Sequence, residues 1–413
     1  MDIAHSAAGL ALLVALGWTL SENRRAVRWR IVAAGLALQV AFAALLLLIP
    51  ALRDAVFALN VPLQALERAT QAGTTFVFGY LAGGTQPYAE THPEASFVLA
   101  FRALPLVLVV SALSALLFHW RILPVVVRAF SWVLEKTMGI GGAVGLSAAA
   151  NVFVGMVEAP LVVKPYLERL TRCELFMVMV CGMATIAGTV MALYAAILGP
   201  VIPDAIGHLL IASIVATPAA IAVAALMVPG PMSVGDEVAI GRQDASAMDA
   251  VTRGTIEGVE LLIQIVAMLI VLIALVHLAN ALLGLAPAVG GEPLTLQRIL
   301  GWLFAPLAWA CGVPWSEARS AGALLGTKTV LNEFIAYIDM ARIPADVLSP
   351  RSKVLMTYAL CGFANFGSLG ILIGGMGAMV PARRAEIVAL GMKSIAAGTI
   401  ATCMAAAVAG LFL

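Results

Sequence analysis

The chain is poor in charge. Of its 413 residues only 11% are Asp, Glu, Lys or Arg, against about a quarter in soluble domains. The formal net charge is +1, which gives a polyanion nothing to hold, so nucleic acid is excluded as a partner. Cysteine is scarce and scattered. Cys173, Cys181, Cys311, Cys361 and Cys403 are odd in number, sit among apolar residues and lack metal-ligand spacing, and they read as small core residues. The histidines are equally dispersed, so a zinc or haem site has no ligand set. No basic stretch precedes the first apolar run. Basic residues follow it instead, which marks a retained first span rather than a secretory leader.

What the sequence does have is apolar length. Hydrophobic residues make up 62% of the chain and the mean hydropathy is +1.02. Runs near or above the roughly 18 to 20 residues that cross a hydrocarbon core recur from end to end. They are continuous rather than alternating, so the backbone must satisfy itself in helices and not in a β-barrel. The expected fold is an all-α integral membrane protein of eight transmembrane helices, placed at 4–21, 31–50, 97–119, 174–199, 205–228, 254–284, 354–377 and 388–413. Segments 53–69, 121–136 and 295–310 mix charges with apolar positions at helical spacing and suit interfacial helices. The polar stretch 229–247 reads as a cytoplasmic linker. Arg24, Arg25, Arg28 and Arg30 lie between the first two spans and put that loop in the cytoplasm. Both termini then face the periplasm, and Arg342, Arg351 and Lys353 fall on the periplasmic side against the usual bias.

Two stretches inside apolar runs carry polar groups and glycine in nearly the same letters: MVCGMATIAGTV at 179–190 and ALCGFANFGSLG at 359–370. Two further apolar segments, 138–165 and 316–340, fit poorly as simple spans, and each holds an asparagine and an acid at its centre. The distance from Asn151 to Cys181 nearly equals that from Asn332 to Cys361, so the unit of interfacial helix, re-entrant hairpin, interrupted span and further span is repeated. The spans at 174, 205 and 254 carry the chain across three times between the copies, which inverts the second. Inverted repeats with interrupted helices are the architecture of secondary transporters, with the site near mid-membrane where the breaks meet.

An acid at the bilayer centre costs about 2.5 to 3.5 kcal/mol on insertion scales, so Glu158 and Glu333, near the two hairpin turns, are expected to face a polar cavity. Asn151 and Thr185 offer oxygens beside backbone that can bend, a set that suits a small hard cation such as sodium. For Thr185 the plain alternative is a hydroxyl bonded back into its own helix. In the second copy Glu333, Asn365 and Ser368 pair acceptors with donors, as a polyhydroxylated ligand requires, and Phe363 is placed to stack on a flat ring.

The blocks NVFVGMVEAPLVVKPYL, GMATIAGTVMALYA, NEFIAY, SPRSKVLMTYALCGFANFGSLGI and AGTIATCMAAAVAGLFL resemble the concentrative nucleoside transporter family from about residue 95 onward. The resemblance implies a bacterial inner-membrane homotrimer importing nucleosides with sodium or protons by elevator-like alternating access. It divides the chain into an N-terminal scaffold unit (1–95), a first repeat (96–228), a linker (229–253) and a second repeat (254–413). By motif position, Asn151, Thr185 and the carbonyls of Val154 and Ile186 would hold sodium. Glu333, Asn365 and Ser368 would hold the ribose, with Asn332 counted among the substrate residues. Phe363 would flank the base, while Met156, Val157, Glu158 and Val190 would lie on the base side. The family's usual hairpin motif is Gly-Gln-Thr-Glu, whereas this chain reads Gly155-Met156-Val157-Glu158, and its usual Ser-Ser is here Gly367-Ser368. Each hydrogen bond to the base edge lost in this way is worth about 0.5 to 1.5 kcal/mol, so altered base selectivity is expected. Retention of Asn151 and Thr185 favours sodium over protons. A membrane-embedded enzyme would need a metal cluster or an activated nucleophile, and a channel would not need two hairpins with a buried acid each.

Overall fold

The computed structural model describes residues 2–89, 97–232, 244–291 and 293–413. The boundary between residues 95 and 96 and linker residues 233–243 lie outside them. The fold is helical. Its N-terminal part comprises α1 (Asp2–Thr19), α2 (Trp29–Leu48), α3 (Pro50–Phe57), α4 (Asn60–Phe78) and α5 (Leu99–Arg102). Next come α6 (Leu106–His119), α7 (Ile122–Met138), α8 (Gly142–Ala150), α9 (Glu158–Val162), α10 (Arg172–Ala184), α11 (Gly188–Leu198) and α12 (Ala205–Met227). After the linker follow α13 (Ala247–Leu283), α14 (Leu296–Ala310), α15 (Ala318–Val330), α16 (Glu333–Arg342), α17 (Pro350–Leu360), α18 (Phe366–Met379) and α19 (Arg384–Ala409).

Local chemistry sets the ends. Pro50 disfavours helical backbone at Ile49 and opens α3 at its first position, so the second span stops there. Thr171 and Glu174 form a reciprocal capping box at the start of α10. Ser246 accepts from the Asp249 amide at 3.1 Å and starts α13 before the expected residue 254. The segment expected as one interfacial helix at 53–69 is two, α3 and α4, whereas 121–136 and 295–310 match α7 and α14. Along α7 the buried positions Pro124, Val127, Ser131, Leu134 and Met138 recur at helical spacing.

Among the described residues, six helical segments are long and apolar enough to cross a membrane: Trp29–Leu48, Leu99–His119, Arg172–Leu198, Ala205–Met227, Ala247–Leu283 and Pro381–Ala409. Ile3–Thr19 and Phe366–Met379 are shorter apolar helices. The centre of the molecule is α10, α12 and α19, where Ala219, Ala220, Gly398, Ala401, Thr402 and their neighbours are buried. In lipid, apolar area alone does not drive helices together, and such small residues let backbones approach for dispersion contact. α2 lies along α12 and α1 along α19, while α13 lies chiefly along α6. The rest of the α13 flank, including Ile263, Ile270, Ile273 and Leu282, is exposed. All five cysteines are free and buried, as expected of core residues.

The basic residues at 351 and 353 have a local explanation. Arg351 donates to the carbonyls of Gly312 at 3.3 Å and Gly410 at 3.0 Å, just past the ends of α14 and α19. Lys353 donates to the Ile343 carbonyl at 2.5 Å, just past α16. Both cations are thus committed to the negative ends of helices. At the opposite end of α19, Glu22 of the α1–α2 loop accepts from Arg172 at 3.0 Å and from Lys393, and Arg172 also pairs with Glu386. The Arg172 guanidinium, foremost, holds the Glu22 carboxyl below the usual carboxylate range. A carboxyl so lowered adds stability above its unfolded pKa and loses it as it protonates. Glu22→Gln should therefore lower the unfolding temperature of the solubilised protein at pH 7 by the equivalent of about 1 kcal/mol or less. Thermal scans should show that gap closing as pH falls through the carboxylate range; a gap that ignores pH would exclude the ionic contribution.

Candidate functional site

Both Cys-Gly stretches break their helices. The first span parts between α10 and α11 at Thr185, Ile186 and Ala187; the second parts between α17 and α18 from Cys361 to Asn365. The two breaks touch. A Cβ on Gly362 would come within 2.9 Å of the Met183 carbonyl oxygen, so only glycine admits this approach. The Phe363 amide, freed from its own helix, donates to the Thr185 carbonyl at 3.3 Å. The segments expected as hairpins each hold a pair of short helices, α8 with α9 and α15 with α16, and the first tip is tied to the first break by the Gly188 amide donating to Phe153 O at 3.1 Å.

On the second break, Glu333 opens α16 with only 4% of its surface exposed. Its carboxylate accepts from the Tyr194 hydroxyl at 2.6 Å on Oε1 and from Asn365 Nδ2 at 2.9 Å on Oε2. Asn365 caps α18 at the same time, its Oδ1 accepting from the Ser368 amide at 2.7 Å. Asn332 does the same for α16, accepting from the Ile335 amide at 2.9 Å. Each oxygen of Glu333 thus holds one donor and keeps a lone pair for a further one. A buried carboxylate fixed in this way is built to accept from hydroxyls of a ligand. Phe363, half-buried, stands on the same break. Tyr194 escaped the sequence reading; a hydroxyl in the middle of the apolar run GTVMALYAAIL is its signal, because a buried phenol needs a partner.

On the first break the predicted ion residues converge. Thr185 Oγ1 lies 3.3 Å from the Asn151 carbonyl and 2.9 Å from that of Cys181, so the back-bonded geometry is also present. Asn151 is 1% exposed and donates to Ser147 O at 3.1 Å, while its Oδ1 has no partner among the described residues. An orphaned, buried amide oxygen beside bent backbone fits a cation. Val154 is half-buried and Ile186 fully buried on the same two bends.

The base-side residues are less unified. Met156 packs on Gly182 of α10, and Val157 packs on Gly375 of α18, where a Cβ would meet its methyls at 2.8 Å. Val190 is buried in the first turn of α11. Glu158 does not join the network of Glu333, Asn365 and Tyr194. Its side chain is exposed and folds back over Gly155 of the first tip. No group of three His, Cys, Asp or Glu able to hold a metal occurs among the described residues.

Known proteins resemble the chain over its length. Models described as Na+ dependent nucleoside transporter N-terminus, nucleoside recognition (gate), and Na+ dependent nucleoside transporter C-terminus match residues 8–81, 100–201 and 208–410. An uncharacterized transporter of Haemophilus influenzae is 39% identical, the match covering 100% of this chain and 98% of that protein. The nucleoside permease NupC of Helicobacter pylori is 36% identical over 99% of this chain and 97% of its own. The structure of CNTnw in an inward-facing substrate-bound state superposes with a TM-score of 0.91 at 38% identity, covering 100% of this chain and 98% of that one. Identity of this depth over the full length, on one shared backbone, settles the kinship: the chain belongs to the concentrative nucleoside transporter family, a family of transporters and not of enzymes.

Proposed function

We propose that the protein is a sodium-coupled symporter that carries nucleosides, or a closely related ribosylated ligand, into the cell. The observation that supports this most is the contact between the two breaks. Sodium at Asn151, Thr185 and the carbonyls of Val154 and Ile186 would fix the first break, and the Thr185 carbonyl holds the Phe363 amide of the second at 3.3 Å. Ion binding is thereby linked to the residues, Glu333, Asn365 and Ser368, that would receive the ribose hydroxyls. Phe363 would flank the base, with Asn332 supporting the tip of the second hairpin. Met156 and Val157 give the base side an apolar wall without donors, which favours hydrophobic or purine rings over bases read by hydrogen bonds. Glu158 and Val190 complete that side.

Eight crossings follow if α1 and the pair α17–α18 are added to the six long segments, with the repeats at 96–228 and 254–413 inverted and the linker at 229–253 cytoplasmic. The two helix–turn–helix segments are then re-entrant hairpins, and α3, α4, α7 and α14 lie at the membrane interfaces. Transport by an elevator-like shift needs a moving and a static body. Within residues 1–95, first read as scaffold, α1 and α2 lie against α19 and α12, and we assign those two helices to the moving body. The pair α6 and α13 is assigned to the static body, and the uncovered flank of α13 suits contact with further copies in a homotrimer of the bacterial inner membrane.

Uptake of radiolabelled uridine and adenosine into proteoliposomes tests this reading. Accumulation is expected only with an inward sodium gradient; a proton gradient serving in its place would replace the ion, and equilibration without accumulation would indicate a channel. Asn151→Ala should raise the sodium concentration for half-maximal uptake, and an unchanged value removes the ion site. Glu333→Gln should abolish uptake in a folded protein, and wild-type transport by that variant removes the sugar site. Tyr194→Phe takes one donor from the carboxylate, a charged hydrogen bond worth about 1.5 to 3 kcal/mol. The uridine KM of that variant should rise about tenfold with little change in maximal rate.

A further inference from the structure

Lys328 is fully buried on α15, and no role proposed above uses it. Its Nζ donates to the Ala359 carbonyl at 2.9 Å and to Thr402 Oγ1 at 3.0 Å. The Thr402 hydroxyl itself donates to Thr399 O at 3.1 Å, so its oxygen faces Lys328 as an acceptor. Three helices, α15, α17 and α19, meet at this one nitrogen.

The carbonyls at the broken end of α17 show what it does. A helix that stops leaves its last carbonyls without partners, and this one stops inside the protein. Tyr358 and Leu360 find turn amides, those of Cys361 at 3.2 Å and Gly362 at 2.8 Å. Thr357 and Ala359 are met by side chains of the second hairpin, the Tyr337 hydroxyl at 2.9 Å and Lys328. The hairpin that bears Glu333 therefore caps the helix end from which Asn365 departs.

The first repeat lacks this device. Gly145 and Gly326 precede Asn151 and Asn332 by the same interval, and each lies tight against the preceding amphipathic helix, at Glu135 and Leu300 respectively. That register sets Ser147 opposite Lys328, one turn before the tip asparagine. Ser147 Oγ is buried with no partner among the described residues, as is Asn151 Oδ1. One repeat leaves oxygens unmet, and the other brings its own donor.

We propose that Lys328 is a positioning residue for the sugar site, a tethered donor that caps α17 and presets Asn365 and Glu333 before any ligand arrives, as the coupling ion does for the first repeat. This rests on the function proposed above. The preset break should be ordered without sodium, whereas the first break should tighten when sodium binds.

Lys328→Met keeps the length and removes the donor. In proteoliposomes it should raise the uridine KM about tenfold while the sodium for half-maximal uptake stays within about twofold, a charged hydrogen bond being lost at one site only. By hydrogen exchange of the purified protein, amides 361–366 other than that of Phe363, whose partner lies on the first break, should be protected with or without sodium in the wild type and lose protection in the variant, with 151–157 unaffected. Unchanged uridine KM and exchange would overturn the proposal, as would a rise of both constants together, which marks general destabilisation. If Lys328→Met does not fold, Thr402→Val and Tyr337→Phe decide. Each should raise the uridine KM selectively and by less, and no effect from either overturns the assignment. Wild-type protein that fails to accumulate uridine would sink the transport reading alone, since exchange at 361–366 still reports on Lys328.

Discussion

The structure depends on one economy of backbone hydrogen bonds. Two helices are broken inside a protein with little water to offer, and every amide and carbonyl so released must find a partner or cost several kcal/mol each. The Phe363 amide finds the Thr185 carbonyl and the Gly188 amide finds Phe153. The ends left by one break are satisfied within its own turn, by the other break or by a hairpin. This constraint forces the four interrupted segments into one cluster, and the buried carboxylate and the orphaned amide oxygen are its by-products.

Much of this was readable from the chain. An apolar run with glycine and a small polar residue at its centre is a poor straight span, and the breaks at Thr185 and Asn365 fall inside the stretches singled out for that reason. The segments at 138–165 and 316–340 stood out because each has an asparagine and an acid in the middle of an apolar run, and in the structure those residues mark helix ends inside the segment. Asn332 and Asn365 turn out to serve as helix caps as well, a local role that their residue type already favours.

The rest was hidden by distance along the chain. Tyr194 meets Glu333 across 139 residues, and Lys328 meets Thr402 across 74. A tyrosine in an apolar helix or a lysine near a hairpin tip does not announce which distant carbonyl or carboxylate it serves. Glu158 shows the converse. Its place in the hairpin motif matched that of Glu333, yet its side chain is exposed and folds back over Gly155, while Met156 and Val157 beside it pack against Gly182 and Gly375. The basic residues at 351 and 353 were expected to run against the positive-inside bias; both side chains are spent on helix-end carbonyls, and that bias takes no account of cations so committed.

The burial of all five thiols has a practical corollary. A membrane-impermeant maleimide offered to the folded protein meets no accessible native sulfur. A single cysteine placed at an exposed polar loop position such as Arg25 or Asp346 would then report its own side of the membrane on an otherwise silent background, with the native cysteines left in place.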